Sequence, residues 1–440
     1  AAAMAAVDPI DGPWDLPEGW EWQRLSAVSD VPERGDPRAK FASAFSYLDV
    51  SGIDQGRLSP RVIPVADAPS RARQILQAND SVISGVRIYL RNFALIEEGG
   101  PDVASTAFCV LRPRPKIDPK YLFYWVGSDQ FIQRLLPLQR GNSPPAVLDA
   151  DIRDQPIPVP PLAAQRRIVT RIQGLLSEIE EGESALAEAR ARLDTYRKSL
   201  LNAAVAGALT YDWRRAHKPC ESGQTLLVRI RATHNRANGV GKRKTSREAS
   251  LTLDEIDSDL LPTGWGYARF DEVLSILSDR GIKIKERDYT PVGKFPVIDQ
   301  GAKPIAAYTD DAKMVQQHVS PVIIFGDHTR RFKYIDFPFC VGADGVKMMA
   351  PHPLMSPRFL FRVLEASRFE DRGYSRHFQF VRELKLPIPS KEEQDEIVAI
   401  SDETLTQANE FERGIREQQS YCAALRQSIL SSAFRGELVA

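Results

Sequence analysis

The sequence predicts an α+β fold made by internal duplication, in which two variable segments each run into a long heptad-patterned helix. Three observations predict it. The stretch from Ile157 through Gln165 and Ile168 to Leu209 returns as Leu386 through Gln394 and Ile397 to Leu438, with Gln165/Gln394, Arg197/Arg426, Ser199/Ser428 and Gly207/Gly436 all 229 positions apart. The phrase Leu16-Pro17-Glu18-Gly19-Trp20 returns as Leu261-Pro262-Thr263-Gly264-Trp265 at an offset of 245, so constant frames enclose interiors that differ by about sixteen residues. After each proline run, apolar residues recur at the 3.5-residue period of a coiled-coil seam.

Taken in order, the Ala-rich start reads as disordered, and Trp20 and Trp265 read as core aromatics closing a domain entrance in preference to base-stacking platforms. The first interior, Ser29 to Gln155, alternates β-type runs such as Ser81-Val82-Ile83-Ser84 with turn clusters such as Glu98-Gly99-Gly100-Pro101, then gives a helix over Pro119 to Leu135. The seam of the first long helix is predicted to hold Ile172, Leu175, Ile179, Leu186, Leu193 and Leu200, with small residues such as Gly182 between them. The second helix's seam includes Phe411, Ile415, Leu425 and Ile429, with Phe411 at the register of Gly182. Some forty residues at about 1.5 Å each make a rod about 60 Å long. Ser390-Lys391-Glu392-Glu393 is a capping box, and Gly207 and Gly436 stand where a helix-terminating glycine belongs. Gly182 and Gly414, inside the helices, each cost about 1 kcal/mol against Ala, which assigns them to close packing or a bend. The two helices either pair with each other or lie as separate surface helices on two cores; their limited apolar girth favours pairing.

Between the repeats, Tyr211 to Leu253 carries Arg229, Arg231, Arg236, Lys242-Arg243-Lys244 and Arg247 among polar residues. It reads as a solvated linker, with a DNA-backbone contact as the sharper alternative. The second interior, Leu274 to Lys385, repeats the order of the first: Phe295 to Ile298, Val322 to Phe325, Phe339 to Val341, then a helix from Pro357 to about Phe369. The expected segments are 1–160, 161–209, 210–256, 257–389 and 390–440.

Composition bounds the function. A chain of 440 residues, 43% hydrophobic and 26% charged, is ordinary for a protein of two or more domains. No run approaches the length needed to span a bilayer and the start lacks a signal-peptide pattern, so a cytoplasmic location without membrane contact is expected. Cys109, Cys220, Cys340 and Cys422 are scattered, with no Cys-x-x-Cys pair and no His at ligand spacing, which argues against zinc and a disulfide framework. The formal net charge is zero, but base gathers between Arg280 and Lys385 while acid gathers on the predicted helices. Gly239-Val240-Gly241-Lys242 lacks the spacing of a phosphate loop, and neither a nucleophile elbow nor a paired-His motif is present. No catalytic or metal-ligating set is therefore assigned. Asp327-His328 and Asp344 alone do not make an acid/base site.

The interiors do offer polar and basic residues in loops. The second has Asp327, His328, Thr329, Arg330 and Arg331, and then Ser375, Arg376 and His377; the first has Ser84, Arg87 and Arg91, and then Arg140, Asn142 and Ser143. Arginines can address guanine edges bidentately, and hydroxyls can meet bases or phosphates. For any single residue an intradomain salt bridge stays equally open. As two sets they suggest two binding heads.

The Leu-Pro-x-Gly-Trp phrases and the Ile-Pro-x-Pro runs before a Gln-initiated helix, duplicated around variable interiors, resemble the specificity subunit of Type I restriction-modification enzymes. The family's junction usually reads Pro-Leu-x-Glu-Gln; here Ala164 precedes Gln165, and Ser390-Lys391-Glu392-Glu393 precedes Gln394. The resemblance implies two target recognition domains separated by two long antiparallel coiled-coil helices with a pseudo-twofold internal repeat. Each domain would read one half of a bipartite site in double-stranded DNA, and the helices would set the spacer. It also implies a non-catalytic chain without a cofactor of its own. Its partners would be two modification (methyltransferase) subunits using S-adenosylmethionine, and restriction subunits using ATP and Mg. A stand-alone DNA-binding regulator and a purely structural coiled-coil protein are the alternatives. A self-sufficient methyltransferase is disfavoured by the absence of an Asn-Pro-Pro-Phe-type motif.

Overall fold

The computed structural model describes residues 10–54, 56–141, 144–237, 261–279, 282–317, 321–342, 345–367 and 377–438. The chain forms two compact units: one takes the chain up to Ala187 with the stretch from Arg416 onward, the other Glu188–Ile415. Each unit thus holds one variable interior and a part of both long helices.

The first unit contains β1 (Glu21–Arg24), β2 (Ser29–Asp30), β3 (Ala44–Leu48), β4 (Arg61–Pro64), β5 (Ala72–Ile75), β6 (Ser81–Ser84), β7 (Phe93–Leu95), β8 (Val103–Ser105) and β9 (Phe108–Pro113). Then come α1 (Pro119–Val126), α2 (Asp129–Leu135), α3 (Asp149–Arg153), β10 (Pro156–Val159) and the first long helix, α4 (Leu162–Val205). One sheet runs β2-β9-β6-β7 and a second β4-β3-β8-β5. Strand β6, Ser81-Val82-Ile83-Ser84, is buried along its whole length, its two serines included. The helix expected over Pro119 to Leu135 is two helices, because the Ser128 hydroxyl accepts from the Phe131 N–H and starts a new first turn.

The second unit begins with the end of α4. It continues through α5 (Tyr211–Ala216), α6 (Gly223–Ala237), β11 (Gly266–Arg269), β12 (Leu274–Leu277), β13 (Phe295–Ile298), β14 (Ala307–Thr309), β15 (Val322–Gly326), β16 (Phe332–Ile335), β17 (Cys340–Val341) and β18 (Val346–Pro351). After these come α7 (Pro357–Ala366), α8 (Phe378–Val381), β19 (Lys385–Ile388) and α9 (Lys391–Phe434), the second long helix. The sheet β12-β18-β15-β16 repeats the order β2-β9-β6-β7, and a separate three-stranded sheet has the order β14-β13-β17.

The repeated phrases turn out to be partners. Strand β1, after the first Leu-Pro-x-Gly-Trp, pairs antiparallel with the proline run β10, from Glu21 opposite Val159 to Arg24 opposite Pro156. Strand β11 pairs with β19 in the same way, from Gly266 opposite Ile388 to Arg269 opposite Lys385. Each interior is therefore closed by a ribbon made of its own frame. A buried glutamine then locks ribbon, long helix and head helix together. Gln165 accepts from the Asp118 N–H at 2.7 Å and donates to the Pro160 and Lys116 carbonyls. Gln394 accepts from the Ser356 N–H at 2.8 Å and donates to the Pro389 carbonyl. Asp118 and Ser356 are the N-caps of α1 and α7.

The long helices run past each other within each unit. In the first, Arg426 pairs with Glu183 at 2.8 Å; in the second, Arg197 pairs with Glu412 at 2.8 Å. These are the same two sequence positions with the helices exchanged, since Arg197/Arg426 and Glu183/Glu412 are each 229 apart. Ile172, Ile179, Leu193, Leu200, Ile415 and Ile429 are buried, and Leu175, Leu186 and Leu425 are half-buried. Phe411 is not a seam residue: it is 59% exposed. Nor do Gly182 and Gly414 mark a close approach, since a Cβ at either would meet nothing within 4 Å. The terminal glycines behave as expected. Gly207 and Gly436 have φ +72 and +85, and a Cβ there would come within 2.7 Å of Pro262 and 2.5 Å of Pro17. The helix end of one repeat thus lies against the entrance phrase of the other.

Two further expectations are corrected. The stretch after Tyr211 is not a solvated linker throughout: α6 buries Leu226, Leu227 and Ile230 in the core that holds Ala268 and Phe270. That i, i+1, i+4 stripe is apolar enough to dock, while Arg229 and Arg231 on its other faces pair with Glu221 and Glu272. Residues 238–260, with Lys242, Arg243, Lys244 and Arg247, lie outside the described residues. The capping box is half formed. Ser390 accepts from the Glu393 N–H, but the buried Glu393 carboxylate accepts from Thr210 Oγ1 (2.6 Å), Arg214 Nη1 (2.5 Å) and Trp265 Nε1 (2.9 Å).

Removing one partner of a buried ion pair strands the other charge. Glu393→Ala is therefore expected to destabilise the chain by about 3 to 5 kcal/mol, measured by denaturant unfolding. A pH dependence follows from Asp402 on α9. Burial by itself would raise its carboxyl, but hydrogen bonds from Arg362 and Arg358 on α7 outweigh this and hold it below the ordinary value. A depressed carboxyl contributes stability that is present above the unfolded value, about 3.9, and is lost as pH falls through the folded one. Asp402→Asn should be less stable than the native chain at pH 7, with the difference closing below about pH 4 in parallel unfolding curves.

Candidate nucleic-acid interface

The basic loops predicted from sequence converge, head by head, on one place in the fold. In the first head, β6 ends at Ser84 and the chain turns through Arg87 to Arg91 into β7. Gly85 lies so close to Val147 that a Cβ would stand 2.6 Å from its carbonyl oxygen. The Val147 N–H donates to the Gly85 carbonyl and the Arg87 N–H to the Pro145 carbonyl, both at 2.9 Å. Arg140 pairs by backbone with Ala146, which also bridges to Val86. The two patches that sequence reasoning placed at Ser84–Arg91 and Arg140–Ser143 are thus stitched into one surface. Asn142 and Ser143 themselves lie outside the described residues.

The second head repeats this. The loop Asp327–Arg331 connects β15 to β16, the topological counterparts of β6 and β7. The Asp327 carboxylate accepts from the Phe378 N–H at 2.8 Å, and His377 Nδ1 donates to the Asp327 carbonyl at 3.1 Å. The start of α8, at His377 and Phe378, therefore joins the β15–β16 loop as the segment before α3 joins the β6–β7 loop. Ser375 and Arg376 lie outside the described residues.

Within these loops the side chains divide by role. Ser84 is buried with its hydroxyl donating to the Val86 carbonyl, so it belongs to the scaffold and does not reach a ligand. Asp327 and His377 are likewise buried and hold the second loop from beneath. Thr329 spends its hydroxyl on the Gln300 carbonyl at 2.5 Å. Arg91 pairs with Asp129 and donates to the Gly127 carbonyl, and Arg140 meets Asp151 at 3.1 Å, though its side chain stays largely exposed. Arg87, His328 and Arg331 are exposed, and Arg330 is half-buried. Lys333, which sequence reasoning did not single out, turns inward onto the Asp299 and Lys303 carbonyls at 2.8 and 2.7 Å. Burial pushes its ammonium down, against the pull of the Asp299 carboxylate.

Backbone conformation marks the same loops. Among the described non-glycine residues, Asn79, Arg87, Arg91 and Arg330 have positive φ, and three of these four are arginines of the two equivalent loops. Such a conformation costs on the order of 1 to 3 kcal/mol per residue and persists only where the surroundings enforce it. Of the three arginines, Arg87 is exposed at the rim of its hairpin and can present its guanidinium to base edges and phosphates, whereas that of Arg91 is engaged with Asp129 and the Gly127 carbonyl. Among the described residues no group of three His, Cys, Asp or Glu side chains is placed to hold a metal ion, and no helix is long and apolar enough to cross a membrane.

Comparison with known proteins agrees with the duplication. A family model described as the Type I restriction modification DNA specificity domain matches residues 17–189 and again 262–418. The two matches start 245 and end 229 residues apart, the same two offsets that relate the frames. The chain is 24% identical over 338 residues to the Type I restriction enzyme EcoDI specificity subunit of Escherichia coli, covering 72% of this chain and 70% of that protein. It is 23% identical over 457 residues to the StySPI specificity subunit of Salmonella potsdam, covering 97% and 90%. Among solved structures, a chain from a study of complex assembly and conformational transition of the type I R-M system superposes with a TM-score of 0.68 at 26% identity, over 97% of this chain and 100% of that one.

Proposed function

The chain belongs to the Type I restriction-modification DNA specificity family, and from that premise we propose that it reads a bipartite DNA target, one half-site per head, with the paired long helices fixing the spacer. As a member of that family it is a non-catalytic DNA-recognition component. One observation carries the finer reading: topologically equivalent hairpin loops in the two heads each carry arginine in the left-handed region, braced by an equivalent neighbouring segment. Two similar scaffolds with different loop sequences, Arg87-Ile88-Tyr89-Leu90-Arg91 against Asp327-His328-Thr329-Arg330-Arg331, suit two different half-sites.

In this reading the chain works in the cytoplasm with two modification subunits, which bring S-adenosylmethionine and transfer the methyl group, and with restriction subunits that use ATP and Mg. The chain itself needs no cofactor, since its part is recognition. Exposed Arg87 and Arg331 address base edges, and Arg140 and the other exposed polar groups position the DNA backbone.

Methylation profiling of DNA modified by the chain with its modification subunits tests this directly. Arg87→Ala should relax one half-site and Arg331→Ala the other, at about 1 to 3 kcal/mol for each bidentate arginine–base pair removed. An unaltered motif in both variants would return these arginines to the scaffold. The spacer has its own test. Inserting one helical turn into each of α4 and α9, about 5.4 Å of rise, should lengthen the unread spacer by about one or two base pairs and leave both half-sites as they were. An unchanged spacer would rule out the helices as the measure.

A further inference from the structure

The tip of the first head's loop holds two large apolar side chains side by side in solvent: Tyr89 is 50% exposed and Leu90 51%. They occupy a single 3-10 turn, Ile88–Leu90, whose flanking residues Arg87 and Arg91 are both left-handed, at φ 51 and 55. Burial of these side chains would favour folding, and relaxing the arginines would relieve strain, yet the turn is held open. Ile88 is driven into the core at 1% exposure. The Arg91 guanidinium is tied to Asp129 and to the Gly127 carbonyl, and the Arg87 N–H is tied to the Pro145 carbonyl. The turn is thus anchored at its first residue and both flanks, and only its apolar tip is presented.

We infer that Tyr89 and Leu90 form an apolar reading surface for thymine C5-methyl groups in the half-site read by the first head. The inference rests on the DNA reading of these loops proposed above. The tip is continuous with exposed Arg87 and largely exposed Arg140, so the surroundings suit a polyanion and the apolar centre suits the apolar group the major groove displays. Insertion between stacked bases is the other apolar use of a protein tip on DNA. A side chain that inserts has to stand clear of the protein, whereas about half of each of these is already covered. A half-covered aliphatic and a half-covered ring can lie against a methyl group without entering the stack. The equivalent loop of the second head offers His328, Thr329 and Arg330 in place of this pair, so the contact belongs to one half-site.

The test uses the complex of the chain with its modification subunits, after methylation profiling has given the motif and Arg87→Ala has assigned a half-site to the first head. Replacing thymine by deoxyuridine in that half-site removes only the methyl group. Binding by the native complex should weaken about fourfold per contacted methyl. The double variant Tyr89→Ser, Leu90→Ser should bind thymine and deoxyuridine duplexes alike, while Tyr89→Phe should keep the native response. Thermal melting of the variants is expected to match the native chain, because both positions are half in solvent. Equal loss on deoxyuridine DNA in the native and double-variant complexes, no loss in either, or a half-site without thymine would each overturn the inference. If Arg87→Ala also left the motif unaltered, the DNA reading of the loop would fall with it; an Arg87 effect without a methyl effect would remove the apolar contact alone.

Discussion

Everything distal in this protein depends on two buried carboxamides. Gln165 and Gln394 sit in the first turn of the long helices with no exposed surface. Each accepts a hydrogen bond from the N-cap N–H of a head helix and donates to the carbonyl of a proline in the closing run. A carboxamide is a side chain that offers an acceptor oxygen and two donor hydrogens on one rigid plane. A glutamate there would lack the donors, and a leucine would strand a buried N–H and at least one carbonyl at about 1 to 3 kcal/mol each. The clamp therefore fixes the angle between head and helix. If the helices are to measure distance between two reading surfaces, that angle is the first thing that has to be invariant.

Around the clamp, the duplicated sequence is assembled as exchanged parts. The Arg–Glu bridge at Arg197–Glu412 uses the same two repeat positions as Arg426–Glu183 with the helices swapped. Each unit draws the end of one long helix from the other repeat, and Gly207 and Gly436 let those ends approach the entrance phrases. The copies are not identical, and the difference is electrostatic. In the second unit, the buried Glu393 gathers Thr210, Arg214 and Trp265 onto the start of α9. Ala164 occupies the corresponding position on α4, where no carboxylate is present to recruit such a cluster. Trp265 is accordingly buried and hydrogen-bonded, whereas Trp20 is only half-buried.

The frame was legible in the sequence because its physics is local and repeated. Gln165/Gln394, the proline runs and the terminal glycines recur at fixed offsets, and each imposes one geometry wherever it occurs. The seam was mostly legible for the same reason. It failed at Phe411, because a heptad position names a helix face but not whether a partner reaches it. The helix α6 was hidden by its arginines, which set the composition of the stretch while three apolar residues decided its docking. In the loops, type alone misassigned Ser84, Asp327 and His377, polar groups consumed inside the scaffold. Tyr89 and Leu90 were missed because apolar residues between turns read as core, and only the left-handed flanks turn them outward.

Those flanks bear on how variable loops and a constant frame can coexist. A reading loop that is free to rearrange loses affinity to ordering, at about 0.5 to 1.5 kcal/mol for each side chain immobilised on binding. In the function proposed above, strained arginines held by Asp129, the Gly127 carbonyl and the Pro145 carbonyl place that cost in folding, ahead of binding. The strain is tolerable because strand β6 beneath is buried on both faces and the ribbon and clamp tie the head to a long helix. The same frame can then carry different loop sequences in its two copies. Each loop need only keep its own bracing segment, and the two loops can diverge without any change in the frame strands and clamps that carry them.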